Sequence, residues 1–97
     1  MPHILVRHKV ADFPTWKTAF DSAFQARQHG GELSHRIFRN ADDASDITVL
    51  FEWESLDRAR SFIRAEAGQP RAHAGLVGPP DLTLVSEVHQ LRRTAAD

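Results

Sequence analysis

What most limits the folds open to this chain is the order in which its hydrophobic periodicity changes. Residues 3–10 alternate, with Ile4, Val6, His8 and Val10 on one side and Leu5, Arg7 and Lys9 on the other, which is the period of a strand. Asp12 and Pro14 then supply a cap and a first-turn proline. Trp16, Phe20 and Phe24 follow at four-residue spacing with Ala19 and Ala23 beside them, the stripe of an amphipathic helix that Gly30-Gly31 closes. Alternation returns over Glu32 to Arg39, where Leu33, His35 and Ile37 oppose Ser34, Arg36 and Phe38. Residues 40–46 have turn chemistry, and a strand resumes over Ile47 to Glu54 with Ile47, Val49, Phe51 and Trp53 opposite Thr48, Leu50, Glu52 and Glu54. Ser55 caps a second helix whose stripe is Leu56, Ala59, Phe62 and Ile63, stopped by Gly68-Gln69-Pro70. In the connection that follows, residues 71–74 suit one helical turn, whereas Gly75, Gly78, Pro79 and Pro80 argue against a long element. A last strand is expected from Leu82 to Leu91.

The order βαββαβ is two right-handed split βαβ units, an α+β ferredoxin-like plait with an antiparallel sheet ordered 4-1-3-2 and both helices on one face. A chain of 97 residues has room for one such domain. It is expected to occupy residues 1–91, with 92–97 a frayed tail. Parity places Ile4, Val6, His8, Val10, Ile37, Val49, Phe51, Trp53, Leu82, Leu84 and Val88 on the helix-covered face, with His35 and Ser86 as polar exceptions. The other face mixes Leu5, Phe38, Leu50 and Val85 with Arg7, Lys9, Arg36, Glu52, Glu54, Glu87 and His89. Arg7 is expected between Glu52 and Glu87. Apolar residues in mid-strand among charges of alternating sign predict that a second copy covers this face, giving a homodimeric α+β barrel; a monomer with one solvated face is the alternative.

Composition removes several functions. Twelve Lys and Arg against thirteen Asp and Glu leave a net charge of −1, so nothing draws the chain toward nucleic acid or an anionic membrane. The absence of cysteine excludes disulfides, thiolate metal sites and thiol catalysis. With no secretory signal and no apolar run near 18 residues, the cytoplasm is the expected compartment.

Six histidines are the one compositional excess. His8 and His35 point from strands one and two toward the helices. With Trp53, Phe51, Ser86, Trp16 and Phe62 they form a mainly apolar, ligand-binding constellation with a few polar groups, or else they are ordinary core histidines. His73, in the connection before the last strand, is placed either to close over that pocket as an acid–base group or simply at the surface. His3, His29 and His89 fall at strand-end, helix-end and outer-face positions. No pair sits at His-x-His or helical i, i+4 spacing, so no metal is expected. Gly30-Gly31, Gly75 and Gly78 do not form a phosphate loop.

Val6-Arg-His-Lys-Val10 with Asp12 and Trp16, then Phe38-Arg-Asn-Ala-Asp-Asp43, then Leu50-Phe-Glu-Trp-Glu54 with Ala59 and Phe62, then Ala74-Gly-Leu-Val-Gly-Pro79, together resemble a known family. They match, in order and over nearly the whole chain, the antibiotic-biosynthesis-monooxygenase-like branch of the dimeric α+β barrel proteins. The resemblance implies a small hydrophobic or aromatic ligand between sheet and helices, with Trp53 as the pocket tryptophan. It also implies an activity from a list that includes cofactor-independent monooxygenases, cyclases, isomerases and haem-degrading enzymes. The position where the monooxygenases carry an asparagine holds Val49, the chain has no tyrosine, and strand one lacks the asparagine of the haem-degrading members. The resemblance therefore implies a monooxygenase or cyclase that needs no cofactor and acts on an aromatic, polyketide-like or quinol substrate, with His73 or His8 as acid–base. The alternative is a non-catalytic ligand-binding or sensor dimer.

Overall fold

The structure is a computed structural model that describes residues 1–66 and 74–93. Its elements are β1 (Pro2–Val10), α1 (Phe13–Ser22), α2 (Phe24–Gly30), β2 (Glu32–Asn40), β3 (Asp43–Trp53), α3 (Leu56–Glu66) and β4 (Leu76–Ser86). The four strands make one antiparallel sheet in the order β2-β3-β1-β4, so the chain is a ferredoxin-like plait with the expected topology. Ile4, Val10, Ile47, Val49, Phe51 and Trp53 form the inner face, with Trp16, Phe20, Ala59, Phe62 and Ile63 packed over it from the helices. Asp12 caps α1 through its side chain to the Thr15 amide at 3.2 Å, and the Ser55 hydroxyl accepts from the Arg58 amide at 3.1 Å.

Five expectations need correction, each for a local reason. The first helix is not continuous: the Ala23 amide is shared between the carbonyls of Ala19 and Phe20, both at 3.2 Å, and the Ser22 hydroxyl donates to Ala19, tightening the last turn of α1. The break turns Phe24 outward, 45% exposed, and brings Arg27 inside. Leu33 does not share a face with His35 and Ile37, because the register with β3 shifts between Glu32 and Ser34 and leaves Leu33 as an exposed bulge. The turn at 40–46 shrinks to Ala41-Asp42, where the Asn40 side chain accepts from the Asp42 amide at 2.8 Å, and β3 starts at Asp43.

The last strand runs over Leu76–Ser86 rather than Leu82–Leu91. Pro79 and Pro80 are tolerated because β4 is an edge strand that bonds on one side only. Beyond Ser86 the chain is no longer strand, and Val88 is almost fully exposed. Arg7 consequently faces Asp81 on β4 instead of Glu87, and on β3 it faces Thr48 instead of Glu52, which is in register with His3. Its Nε and Nη2 donate to the two carboxylate oxygens of Asp46 at 3.1 and 2.7 Å, and Asn40 donates to the same carboxylate at 3.0 Å. The guanidinium and the Asn40 amide hold the Asp46 carboxyl well below the usual carboxylate range.

Candidate functional site

Between the sheet and the helices lies a cavity of about 350 Å³, in the size range of small-molecule sites. Ile4, Val6 and Val49 line it from the sheet, Trp16 and Phe20 from α1, Phe62 and Ile63 from α3, and Leu76, Pro80 and Leu82 from β4, together with Phe51 and Trp53. Both tryptophans of the chain are therefore on its wall.

Each aromatic wall is held by the backbone. Trp53 stacks on Phe62 with ring centroids 5.0 Å apart and donates from Nε1 to the Gly30 carbonyl at 2.8 Å. Gly31, at φ 120, leaves the space this needs, since a Cβ there would lie 2.7 Å from Trp53 Nε1. The Gly-Gly pair read from sequence as a helix stop thus also seats the tryptophan. Gly75, at φ 73, does the same for Trp16: its carbonyl accepts from the Ala11 amide at 2.8 Å, and a Cβ would meet the Trp16 amide at 2.9 Å.

His8 sits where the β1–β4 ladder is interrupted. Arg7 pairs with Asp81 and Lys9 with Val77, so Gly78, Pro79 and Pro80 together oppose the single residue His8. Such bulges re-aim side chains and are over-represented beside active sites. The imidazole packs 5.1 Å from the Trp16 ring, is 8% exposed, and among the described residues has no hydrogen-bond partner at either ring nitrogen. Burial lowers its pKa below the ordinary 6.5, against a smaller opposing pull from Asp46, so the ring is neutral at pH 7.

Of the residues singled out from sequence, His8, Trp16, Phe51, Trp53 and Phe62 meet on the cavity wall. His35 stands outside it, its Nδ1 3.2 Å from Glu32 Oε2 and its ring edge-on to Phe20 at 5.1 Å. Ser86 is exposed at the end of β4, and His73 lies outside the described residues. Sequence reasoning missed Arg27, which also lines the cavity. Its Nε donates to the buried Glu32 at 2.7 Å. The signal available was a seven-residue spacing from Phe20, which places Arg27 on the inner stripe of an unbroken helix.

Fold and cavity together define an α+β plait with an apolar cavity under its helices, and solved structures of the same fold cover nearly the whole chain. One is a protein assigned to the antibiotic biosynthesis monooxygenases from Bordetella bronchiseptica, with TM-score 0.76 and 14% identity over 91% of this chain and 97% of that one. SnoaB, a cofactor-independent oxygenase from Streptomyces nogalater, has TM-score 0.70 and 20% identity over 95% and 97%. The monooxygenase from the gene ActVA-Orf6 of Streptomyces coelicolor, solved with the ligand nanaomycin D, has TM-score 0.68 and 19% identity over 96% and 92%. At these identities the likeness establishes a shared fold. No protein-family model matches the chain, and no curated protein matches it.

Proposed function

We propose that the chain is a cofactor-independent monooxygenase that takes an aromatic phenol or quinol into the cavity and uses His8 as its base. The observation that carries this reading is an imidazole that is nine-tenths buried, neutral and, among the described residues, unbonded at both nitrogens on the wall of an apolar cavity. An unpaired buried polar group costs about 1–3 kcal/mol, and a structural histidine has no reason to bear it. SnoaB and the ActVA-Orf6 protein, which share the fold, are oxygenases.

As packed, neither ring nitrogen is open to solvent, so the ring must turn into the cavity to meet a ligand. In the keto tautomer of such a phenol, the ring methylene made acidic by the carbonyl across the ring then loses a proton to the imidazole. The resulting carbanion donates electrons to dioxygen, a C–O bond forms, and loss of water leaves a carbonyl. One oxygen atom stays in the product, and the other leaves as water with the two methylene hydrogens. The apolar walls keep bulk water from the carbanion. Oxygen uptake with naphthol-type and anthrone-type substrates tests this: wild type consumes oxygen, and His8→Ala loses turnover while still quenching tryptophan fluorescence on binding. Binding without uptake in wild type would leave the second reading, a non-catalytic ligand-binding protein. That reading is favoured by Val49, an apolar residue on the wall where the monooxygenases have an asparagine.

We infer also that the functional unit is a homodimer joined through the outer sheet face. No helix of the described chain packs there, and Leu5, Phe38, Leu50, Val77 and Val85 lie on it around the Arg7–Asp46 pair. Phe38 and Val77 are 47% and 60% exposed in the single chain. A light-scattering mass of one chain would end this part of the reading.

A further inference from the structure

Among the described residues, His8, Arg27 and Glu66 are the charged or titratable side chains on the cavity wall, and Glu66 has an interaction of its own. Arg27 is 6% exposed, with Cζ 3.8 Å above the Phe20 ring and 5.8 Å from the Phe51 ring. Its Nε and Nη1 donate to Glu32 Oε1 and the Phe20 carbonyl, both at 2.7 Å. Among the described residues Nη2 has no hydrogen-bond partner. His8 is in register with Ile47, and Phe51 lies four residues further along β3, about 13 Å at ~3.3 Å per residue. Arg27 and His8 therefore stand toward opposite ends of the cavity.

The charge of Arg27 is already balanced by Glu32. A ligand carboxylate brought to Nη2 would leave a net negative charge in an apolar enclosure and would face Glu32 as well. A carbonyl oxygen accepts the same N–H and adds no charge. We propose that Arg27 is the specificity-determining residue of the cavity, donating from Nη2 to a neutral carbonyl oxygen of the ligand and disfavouring a carboxylate at that end. This rests on the reading of the cavity as a ligand site.

Three naphthalenes substituted at the same ring carbon with acetyl, carboxylate or ethyl groups have nearly the same shape and serve as probes. Quenching of Trp16 and Trp53 reports their affinities. In wild type acetylnaphthalene binds about ten-fold more tightly than ethylnaphthalene, the effect of one hydrogen bond from a charged donor, and more tightly than naphthoate. Glu32→Gln, which leaves Arg27 uncompensated, raises naphthoate affinity at least ten-fold relative to acetylnaphthalene. The double variant Arg27→Met/Glu32→Gln, which leaves no buried charge unpaired, keeps ethylnaphthalene binding and loses the acetyl preference. The same probe ratios in the double variant as in wild type, or no shift toward naphthoate in Glu32→Gln, overturn the proposal with the cavity reading intact. Failure of all three probes to bind wild type overturns both.

Discussion

Replacing His8 with phenylalanine should make the protein more stable. The ring keeps its plane and its packing on Trp16, 5.1 Å away, while two buried nitrogens without partners among the described residues are removed. Relief of an unsatisfied buried polar group is worth about 1–3 kcal/mol, and in a domain of this size each kcal/mol moves Tm by roughly 4–8 °C. The gain should depend on pH in a set direction. In the folded chain burial holds the His8 pKa below 6.5, so as pH falls from 6.5 the unfolded chain takes up a proton that the folded chain refuses. Wild type therefore loses stability below pH 6.5, down to the folded pKa, and the phenylalanine variant lacks that contribution. The gap between the two should widen from pH 7.5 to pH 5.5. Urea unfolding followed by tryptophan fluorescence, at one protein concentration so that any association is held fixed, measures it, with an unchanged m-value showing that the folded and unfolded states are comparable. His8→Leu, smaller in section, guards against a clash of the larger ring. If both variants are less stable than wild type at pH 7, or the gap does not grow with acidity, His8 is a bonded core residue and loses its standing as a base.

Gly31→Ala should cost about 1–3 kcal/mol, because it combines an unfavourable φ with a Cβ placed against Trp53, and the tryptophan emission should shift to the red as that ring is displaced. Asp46 and Asp43 both have carboxyls held below their ordinary value of 3.8, Asp43 at about 2 by Lys9 and Ser45, so the stability they contribute is present above that value and lost as pH falls through the folded pKa. Asp46→Asn should accordingly flatten the acid limb of a stability–pH curve below about pH 4, and an unchanged limb would show that the pairing with Arg7 is idle. Phe38→Glu, a charge placed on the outer sheet face, should halve the mass measured by light scattering at micromolar concentration without lowering the affinity for aromatic probes.

The topology was legible because it depends only on the order of periods, and parity survived wherever a strand is regular: Ile4, Val49 and Phe51 face the helices as alternation requires. It failed where one side chain outweighs the pattern. Leu33 loses its place in the alternation to Glu32, whose burial is made tolerable by Arg27 reaching across from α2. Phe24 loses its place when Ala23 ends the helix. Gly78, Pro79 and Pro80 were readable as breakers but not as a bulge, since whether a proline ends a strand depends on whether the strand is at an edge, and that is a property of the sheet rather than of the segment.

The site divides along the same line. Its apolar walls came from residues that periodicity picks out, Trp16, Trp53 and Phe62 among them, because a cavity under helices is lined by whatever a core would have been built from. The polar groups could not be ranked that way. His8 and His35 have the same parity and the same residue type, yet His35 finds Glu32, three residues before it on the same strand, while among the described residues His8 finds no partner, and parity does not distinguish the two. Arg27 fits the inner stripe by spacing but is discounted on charge until Glu32 is seen to neutralise it. A buried ion pair of this kind contributes little net stability and is costly to break on one side. Its retention on a cavity wall is thus better explained by what the free edge of the guanidinium does for a ligand than by what the pair does for the fold, and the double variant separates the two. A protein that keeps its stability and its affinity for ethylnaphthalene but no longer prefers the acetyl probe places the role of the pair in recognition.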